Sequence, residues 1–133
     1  MVDKAVVSRR QQGYGTIVFT KYKKGNEVTA TQEEEWVMPF NGIIVDVICH
    51  VATAQGPLGS TSIIDVNING TTIYTTQANR PTLADGDTGY YTEAGEPEIT
   101  VLRVGDILSY DVDQIGSGTA ATRFKITIVV QST

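Results

Sequence analysis

Cys49 and His50 are adjacent in the sequence and are the only cysteine and the only histidine in the chain. A thiol that touches an imidazole is a nucleophile with its general base. The two residues lie, however, in a run that alternates between apolar and polar residues, which predicts a strand. Neighbouring side chains on a strand point to opposite faces, so this pair cannot meet. We therefore expect Cys49 to act as a small buried hydrophobe.

A single histidine also limits the metal chemistry of one chain, because a site with several histidine ligands needs more than one copy. The axis of a trimer would gather three copies of His50, but a surface or half-buried position on the strand is the simpler interpretation. One cysteine excludes a disulfide within the chain. We find no catalytic constellation, and we expect a protein that is not an enzyme and that uses no cofactor.

Residues 85–89 read DGDTG and are the best candidate for a cation site. Asp85 and Asp87 place carboxylates at alternate positions, as a calcium loop does, and Glu96 stands at the twelfth position. Tyr90, however, stands where the sharp turn of an EF-hand requires glycine, and no helical pattern flanks the segment. Two interpretations stay open, an acidic surface turn, which we favour, and a calcium site.

Aromatic residues offer a third kind of site. Tyr90 and Tyr91 lie in a long loop, residues 77–97, where we expect them to be exposed. Exposed tyrosine rings present an apolar face and a polar tip, which suits stacking on a sugar. We therefore treat Tyr90 and Tyr91 as a candidate ligand-binding loop. The alternative is that they are ordinary core and interface aromatics.

The composition indicates which elements position these side chains. Ile, Val and Thr make up 46 of the 133 residues, and leucine occurs only four times. Side chains that branch at Cβ are stiff and fit the pleated surface of a sheet. A helical bundle would depend more on leucine and alanine. The composition therefore favours an all-β protein.

Alternating patterns divide the chain into about eight strands. Residues 43–53 form the strongest, with apolar residues at every odd position from 43 to 51, so we expect these five to share one buried face. The last strand, residues 122–130, has the same pattern on its even positions. Residues 98–104 and 107–114 predict a further pair of strands.

Residues 62–68 predict a strand that buries Ile64, Val66 and Ile68 and exposes Asp65, Asn67 and Asn69. Asn69 and Gly70 follow it, and a second strand pattern comes directly after them. Both central residues of a type I′ turn need positive φ, which asparagine and glycine tolerate best. These two residues therefore predict a β-hairpin.

Eight short strands in about 130 residues predict a two-sheet antiparallel sandwich, most naturally a jelly roll. An immunoglobulin-like sandwich is the alternative. That fold typically has seven strands, and its usual framework of two cysteines and a tryptophan is missing here.

Charge divides the chain into two parts. Residues 1–30 carry six basic and two acidic residues, a net charge of +4, whereas residues 31–133 carry four basic and thirteen acidic residues, a net charge of −9. We predict an extended basic N-terminal arm with one strand (residues 1–30) and a sandwich domain (residues 31–133). The arm suits an acidic neighbouring subunit, and the alternative is a solvated tail. Its candidate partner-binding residues are Arg9, Arg10, Tyr14, Lys21, Lys23 and Lys24.

The charge distribution also argues against some partners. A body of charge −9 repels phosphate, so we expect no binding to nucleic acid. No apolar run approaches the ~20 residues that span a bilayer, and the first residues do not form the apolar core of a signal peptide. We therefore expect no membrane contact and synthesis in the cytosol.

Two segments, read together, resemble small β-sandwich proteins of tailed bacteriophage virions. They are residues 64–74 (IDVNINGTTIY) and residues 104–116 (VGDILSYDVDQIG), followed by a closing strand at residues 124–130. The resemblance covers about residues 36–131 and includes head decoration (cement) proteins and domains of head or tail fibres. The basic arm lies outside it.

The resemblance implies a protein without catalytic residues that forms oligomers, commonly trimers, whose arms cross to neighbouring subunits or to the capsid shell. The first hypothesis is therefore a capsid decoration protein in the virion, assembled in the host cytoplasm, with the major capsid protein or other virion subunits as partners. The second hypothesis is a carbohydrate- or receptor-binding module of a phage fibre, tail or baseplate.

Overall fold

The structure is a computed structural model that describes residues 15–53, 60–84 and 89–133. In these residues the regular elements are nine strands and one 3-10 turn at Gln77–Asn79. The strands are β1 (Thr16–Asn26), β2 (Ala30–Val37), β3 (Gly42–Thr53), β4 (Ser62–Ile68), β5 (Thr71–Thr72), β6 (Thr82–Leu83), β7 (Val101–Leu102), β8 (Ile107–Gln114) and β9 (Thr122–Ser132).

The strands form two antiparallel sheets, which confirms the predicted all-β sandwich. The four-stranded sheet has the order β1-β9-β3-β7. The five-stranded sheet has the order β2-β8-β4-β5, and β6 also pairs with β4. Many strands are rich in β-branched residues, and each sheet turns one face toward the other.

The strand pairs are nested along the chain. β1 pairs with β9, β2 with β8, β3 with β7, and β4 with β5. The chain therefore resembles one long hairpin that has been rolled into two layers. The strand that the sequence predicts within residues 1–30 is β1, and it is an edge strand of the four-stranded sheet.

The core fills the space between the two inner faces. β9 contributes four residues that are at most 1% exposed, as its alternating pattern predicts: Phe124, Ile126, Ile128 and Val130. The ring of Phe124 lies 5.7 Å from that of Tyr110 on the opposite sheet, measured between centroids. Aromatic and branched side chains from both sheets thus form one continuous core.

A β-bulge changes the predicted face of β3. Ile44 lies opposite Val130 and Asp46 lies opposite Val129, so Val45 has no residue opposite it. The extra residue shifts the alternation by one position. Val47, Cys49 and Val51 are therefore buried as predicted, whereas Ile43 and Val45 are 40% and 47% exposed and Ile44 is buried instead. The prediction of a single buried face from 43 to 51 was wrong at its first two odd positions.

The turn chemistry gives one correct and one wrong prediction. Asn69 and Gly70 have φ angles of +52° and +82°, and they join β4 to β5 in the predicted hairpin. The predicted pair of residues 98–104 with 107–114 does not form. β7 pairs with β3, whereas β8 pairs with β2 and β4 in the other sheet. The intervening turn, with Gly105 at φ +90°, carries the chain between layers.

Candidate functional site

Three of the predicted arm residues lie in the described structure. Arg9, Arg10 and Tyr14 lie outside the described residues, and Lys21, Lys23 and Lys24 lie on β1. Their roles as partner-binding residues therefore stay predictions.

Two of the β1 lysines form ion pairs within the chain. The Lys21 ammonium lies 3.3 Å from the Glu34 carboxylate, and the Lys23 ammonium lies 2.9 Å from that of Glu33. β1 and β2 are edge strands of different sheets, so these ion pairs join the two layers along one open side. Half-exposed pairs of this kind contribute about 0.2–1 kcal/mol. Lys24 is exposed.

Cys49 and His50 point to opposite faces of β3, as predicted. Cys49 is 1% exposed, and burial raises the pKa of its thiol well above the usual range, which keeps it protonated. His50 lies on the outer face of the sheet, where its ring centroid is 4.4 Å from that of Tyr90. The pair therefore offers no thiolate–imidazole chemistry within one chain.

The segment around Tyr90 runs beside β3 as a short extra strand. The Val51 amide donates to the Gly89 carbonyl oxygen at 2.8 Å, and the Tyr91 amide donates to that of Cys49 at 3.0 Å. A Cβ atom on Gly89 would lie 2.5 Å from the Val51 carbonyl oxygen, so this close approach requires glycine.

The two tyrosines of this segment point in opposite directions, as neighbours on a strand do. Tyr90 points outward and is 60% exposed. Tyr91 points into the sandwich, where its ring packs edge-on against Phe124 and its hydroxyl donates to Glu27 Oε2 at 2.5 Å. The sequence predicts that both tyrosines are exposed. In the structure Tyr90 is exposed, whereas Tyr91 is largely covered.

Glu27 is a buried carboxylate that sequence reasoning missed. It follows β1 in a segment that reads as an ordinary polar turn, yet it is 1% exposed. Its amide donates to the Ala121 carbonyl oxygen at 2.8 Å, and its carboxylate bonds to Tyr91 and Ser62. Within the described residues its Oε1 atom has no hydrogen-bond partner. Burial therefore raises the pKa of the Glu27 carboxyl group.

We call the outer face of the five-stranded sheet the polar face. On it, the prediction that the polar residues of β4 are exposed was wrong. Asp65 and Asn67 point outward but are only 6% and 5% exposed. The Thr72 hydroxyl donates to Asp65 Oδ1 at 2.6 Å, and the side-chain amide of Asn67 donates to Asp111 Oδ2 at 2.9 Å. Cross-strand neighbours thus cover these side chains, which a single strand pattern cannot reveal.

The outer face of the four-stranded sheet, which we call the apolar face, has a different character. It carries large apolar or aromatic side chains that are 40–60% exposed on β1, β3, β7 and the segment beside β3. They are Val18, Tyr22, Ile43, Val45, Ile48, Tyr90 and Val101. Polar residues of β9 such as Thr127 and Gln131 lie between them, and a face with this many exposed apolar side chains is a candidate contact surface.

One end of the apolar face is aromatic and cationic. Tyr22 lies opposite Lys125, Lys125 lies opposite His50, and His50 lies opposite Tyr90. These four residues form a continuous row across the sheet, which we call the aromatic row. A groove of about 230 Å³ opens along it, lined by Ile48, His50, Tyr90, Lys125 and Thr127.

The sandwich is similar to a capsid chain of a cyanophage. The solved structure is the cyanophage Pam1 capsid asymmetric unit, and the likeness has a TM-score of 0.56. It covers 91% of this chain and 87% of the capsid chain at 13% sequence identity. At that identity the likeness shows a shared fold. No protein-family model and no curated protein matches the sequence.

The remaining candidates concern metals and membranes. The described residues hold no group of three or more His, Cys, Asp or Glu side chains placed to bind a metal ion. Asp85 and Asp87 lie outside the described residues, so the acidic surface turn that we favour and the alternative calcium site are both untested. In the part of the chain that the structure describes, no helix is long and apolar enough to cross a membrane.

Proposed function

We propose that the protein is a non-enzymatic structural component of a bacteriophage virion, and specifically a decoration (cement) protein that binds and stabilises the capsid shell through its N-terminal arm. The observation that carries the proposal is the fold shared with the cyanophage Pam1 capsid chain over nearly the whole length of both chains. The resemblance of the hairpin and turn segments to tailed-phage virion proteins points the same way.

The nested strand pairing adds support. Jelly rolls are eight-stranded double sheets built from two Greek keys, and they recur in viral capsid proteins. The order β1-β9-β3-β7 over β2-β8-β4-β5 follows from rolling up one long hairpin, and β6 is a two-residue addition at the edge of β4. We therefore propose a jelly roll as the specific form of this sandwich.

Gly15, the first described residue, is hydrogen-bonded to the end of β9. The Gly15 amide donates to Ser132 Oγ at 2.9 Å, and the Ser132 amide donates to the Gly15 carbonyl oxygen at 2.8 Å. The fourteen residues before Gly15 carry three basic residues and one acidic residue. A deletion that stops before Gly15 therefore retains the bonds that close the sheet. It removes the part of the arm proposed to bind an acidic site on the shell.

Binding to capsid shells tests this proposal. Shells that lack the protein are mixed with the full chain, with a variant lacking residues 2–14, and with an Arg9→Gln, Arg10→Gln double variant. Sedimentation then separates bound from free protein. We expect saturable binding of the full chain and at least a ~10-fold loss for both variants, which corresponds to about 1.4 kcal/mol.

Two measurements make the result specific. Arg103→Gln removes one exposed positive charge from the sandwich and is the matched control, for which we expect unchanged shell binding. Thermal unfolding of the shortened chain should match that of the full chain. Normal decoration by the chain without residues 2–14 would exclude the arm as the anchor, and failure of the full chain to bind any shell would exclude the decoration function.

The proposal includes a homo-oligomer, for which the virion resemblance implies a trimer. Light scattering of the purified full chain during gel filtration measures its mass against the 14.4 kDa of one chain. We expect three times that mass on the shell or in solution. If cross-linking of decorated particles yields only single chains, the proposed trimer is wrong.

A further inference from the structure

We propose that the aromatic row binds a saccharide that carries a carboxylate, with Tyr90 stacking on a sugar ring and Lys125 pairing with the carboxylate. This function goes beyond a structural role in the virion, because it would attach the particle to an acidic glycan. It uses a different surface from the arm, so the two proposals can fail separately.

The geometry of the row suits an extended ligand. Its four residues lie on adjacent strands, and strands are spaced by about 4.8 Å, so Tyr22 and Tyr90 lie roughly 14 Å apart. Both rings are more than half exposed. The Tyr90 ring packs against that of His50 with an angle of 51° between the ring planes. Two apolar ring faces with a cation between them thus form a platform.

The groove suits one sugar ring. Its volume of about 230 Å³ lies below the roughly 300–1,000 Å³ of pockets for drug-sized ligands. Its lining includes the apolar side chain of Ile48 and the polar side chains of Thr127 and Lys125. A sugar ring needs this combination, because it presents C–H bonds on its faces and hydroxyls at its rim. Neighbouring rings of an oligosaccharide would lie along the row.

Charge selects an anionic ligand. The ion pairs between described residues use Lys21, Lys23 and Arg80, and none of them uses Lys125. Arg123, two positions before Lys125 on β9, is also exposed and adds a second positive charge at this end of the strand. None of the five residues that line the groove is acidic. A carboxylate on the ligand would therefore meet an ammonium group.

The surroundings favour a glycan over an acidic protein segment at this end of the face. The neighbouring outward positions are Thr20 and Thr127, whose hydroxyls lie 3.4 Å apart. The exposed aliphatic side chains Val18, Ile43 and Val101 lie toward the other end of the sheet, where a protein surface would make its apolar contacts. Polar groups around exposed rings are the recognition chemistry of sugars.

Titration of the full chain with two acidic probes tests the proposal. The probes are trigalacturonic acid and 3′-sialyllactose, each compared with its methyl ester, which has the same skeleton without the charge. Calorimetry and backbone NMR shifts measure binding. We expect saturable binding of at least one acid, a ~10-fold weaker interaction with its ester, and shifts that centre on Lys125 and His50.

Two variants identify the contacts. Lys125→Gln should weaken binding of the acid ~10-fold and leave that of the ester unchanged, whereas Tyr90→Ala should weaken both ~10-fold. Both residues are exposed, so thermal unfolding should be unaltered, and Arg103→Gln is the matched charge control. Shell binding should be unchanged in both variants.

Three results would overturn the proposal. The first is the absence of saturable binding by either acid. The second is equal binding of acid and ester or an unchanged affinity in Lys125→Gln. The third is a hexaglutamate peptide that binds as tightly as the acid and competes with it, which would make the row a contact site for acidic protein.

Discussion

The two outer faces of the sandwich differ in how their side chains are satisfied. On the polar face, side chains bond to one another across strands, as Asn67 does to Asp111 and Arg80 does to Asp113 at 2.5 Å. On the apolar face, Val18, Ile48 and Tyr90 are 42–60% exposed. Asp65 and Asn67 on the polar face find their hydrogen-bond partners within the chain, although the buried Ser109 Oγ has none among the described residues. The apolar face is therefore the one on which we expect contacts with other molecules.

The difference is a matter of packing and not of fold, because both faces belong to antiparallel sheets of one sandwich. Burying a polar side chain costs free energy unless it forms hydrogen bonds, so its neighbours must supply them. An exposed apolar residue gains about 25 cal/mol for each Å² that a partner covers. Mutations on the two faces should therefore have opposite consequences, with losses of stability on one face and losses of binding on the other.

The largest effect is expected on the polar face, from Asp111→Ala. Asp111 accepts from the Gln32 amide at 2.7 Å and from the Asn67 side chain. Gln32 has φ +51° at the point where the register of β2 and β8 shifts, so this bond also holds an unfavourable backbone conformation. Removal leaves the buried Asn67 amide without its acceptor. We expect a loss of about 2–3 kcal/mol in the free energy of unfolding, measured by urea denaturation.

Asp111→Asn is the control for this prediction, because it keeps the shape but lacks one acceptor. It should cost less than the alanine variant. Asp113→Ala breaks only a partly exposed ion pair and should cost at most about 1 kcal/mol. Equal losses in the free energy of unfolding for Asp111→Ala and Asp113→Ala would mean that the hydrogen bonds of Asp111 stabilise the fold no more than one ion pair does.

An intermediate effect is expected at Glu27, the buried carboxylate between the layers. Its pKa is raised, so the folded chain holds this proton more tightly than the unfolded chain, in which the ordinary value is 4.5. Its contribution to stability therefore falls as the pH rises from about 4.5 to the folded pKa. Glu27→Gln removes this titration, so its stability relative to wild type should rise over that window by up to ~1.4 kcal/mol per pH unit.

Urea denaturation at a series of pH values measures this difference, and Glu35→Gln, an exposed change of the same type, is the matched control. The informative quantity is the slope, since the glutamine amide also changes the local hydrogen bonds. A difference between Glu27→Gln and wild type that does not vary with pH would show that Glu27 is not a buried titrating group.

The smallest effect on stability is expected on the apolar face. The double variant Val18→Thr, Val101→Thr replaces two exposed side chains, away from the aromatic row, by polar ones that suit a strand. The free energy of unfolding should change by no more than about 0.5 kcal/mol. If the face contacts a virion subunit, sedimentation with shells should show weaker binding. A large loss of stability with unchanged shell binding would contradict the distinction between the two faces.

The fold class could be predicted because it depends on properties that single residues carry. Branched side chains, alternation and the Asn69-Gly70 turn are local signals, and the structure confirms an all-β, two-sheet sandwich with that hairpin. The bulge at Val45 was not predictable, because it depends on how β3 meets β9. The burial of Asp65 and Asn67 depends in the same way on partners that are distant in sequence.

The candidate site was predicted only in part, for the same reason. Tyr90 was selected because it lies in a polar loop, and it is exposed. Tyr91, its neighbour, turns inward because residues 89–91 run beside β3, which no local signal indicates. Lys125, Tyr22 and His50 are separated in sequence, and only the pairing of β1, β9 and β3 places them in one row.

The pairing of β1 with β9 has a consequence for biosynthesis. Thr16 lies opposite Gln131, so β1 cannot pair in its sheet until β9, more than 100 residues later in the chain, has been synthesised. Contacts between distant parts of a chain make folding slow, on the order of milliseconds to seconds. We therefore expect a chain that is cut short before β9 to remain open and to be degraded.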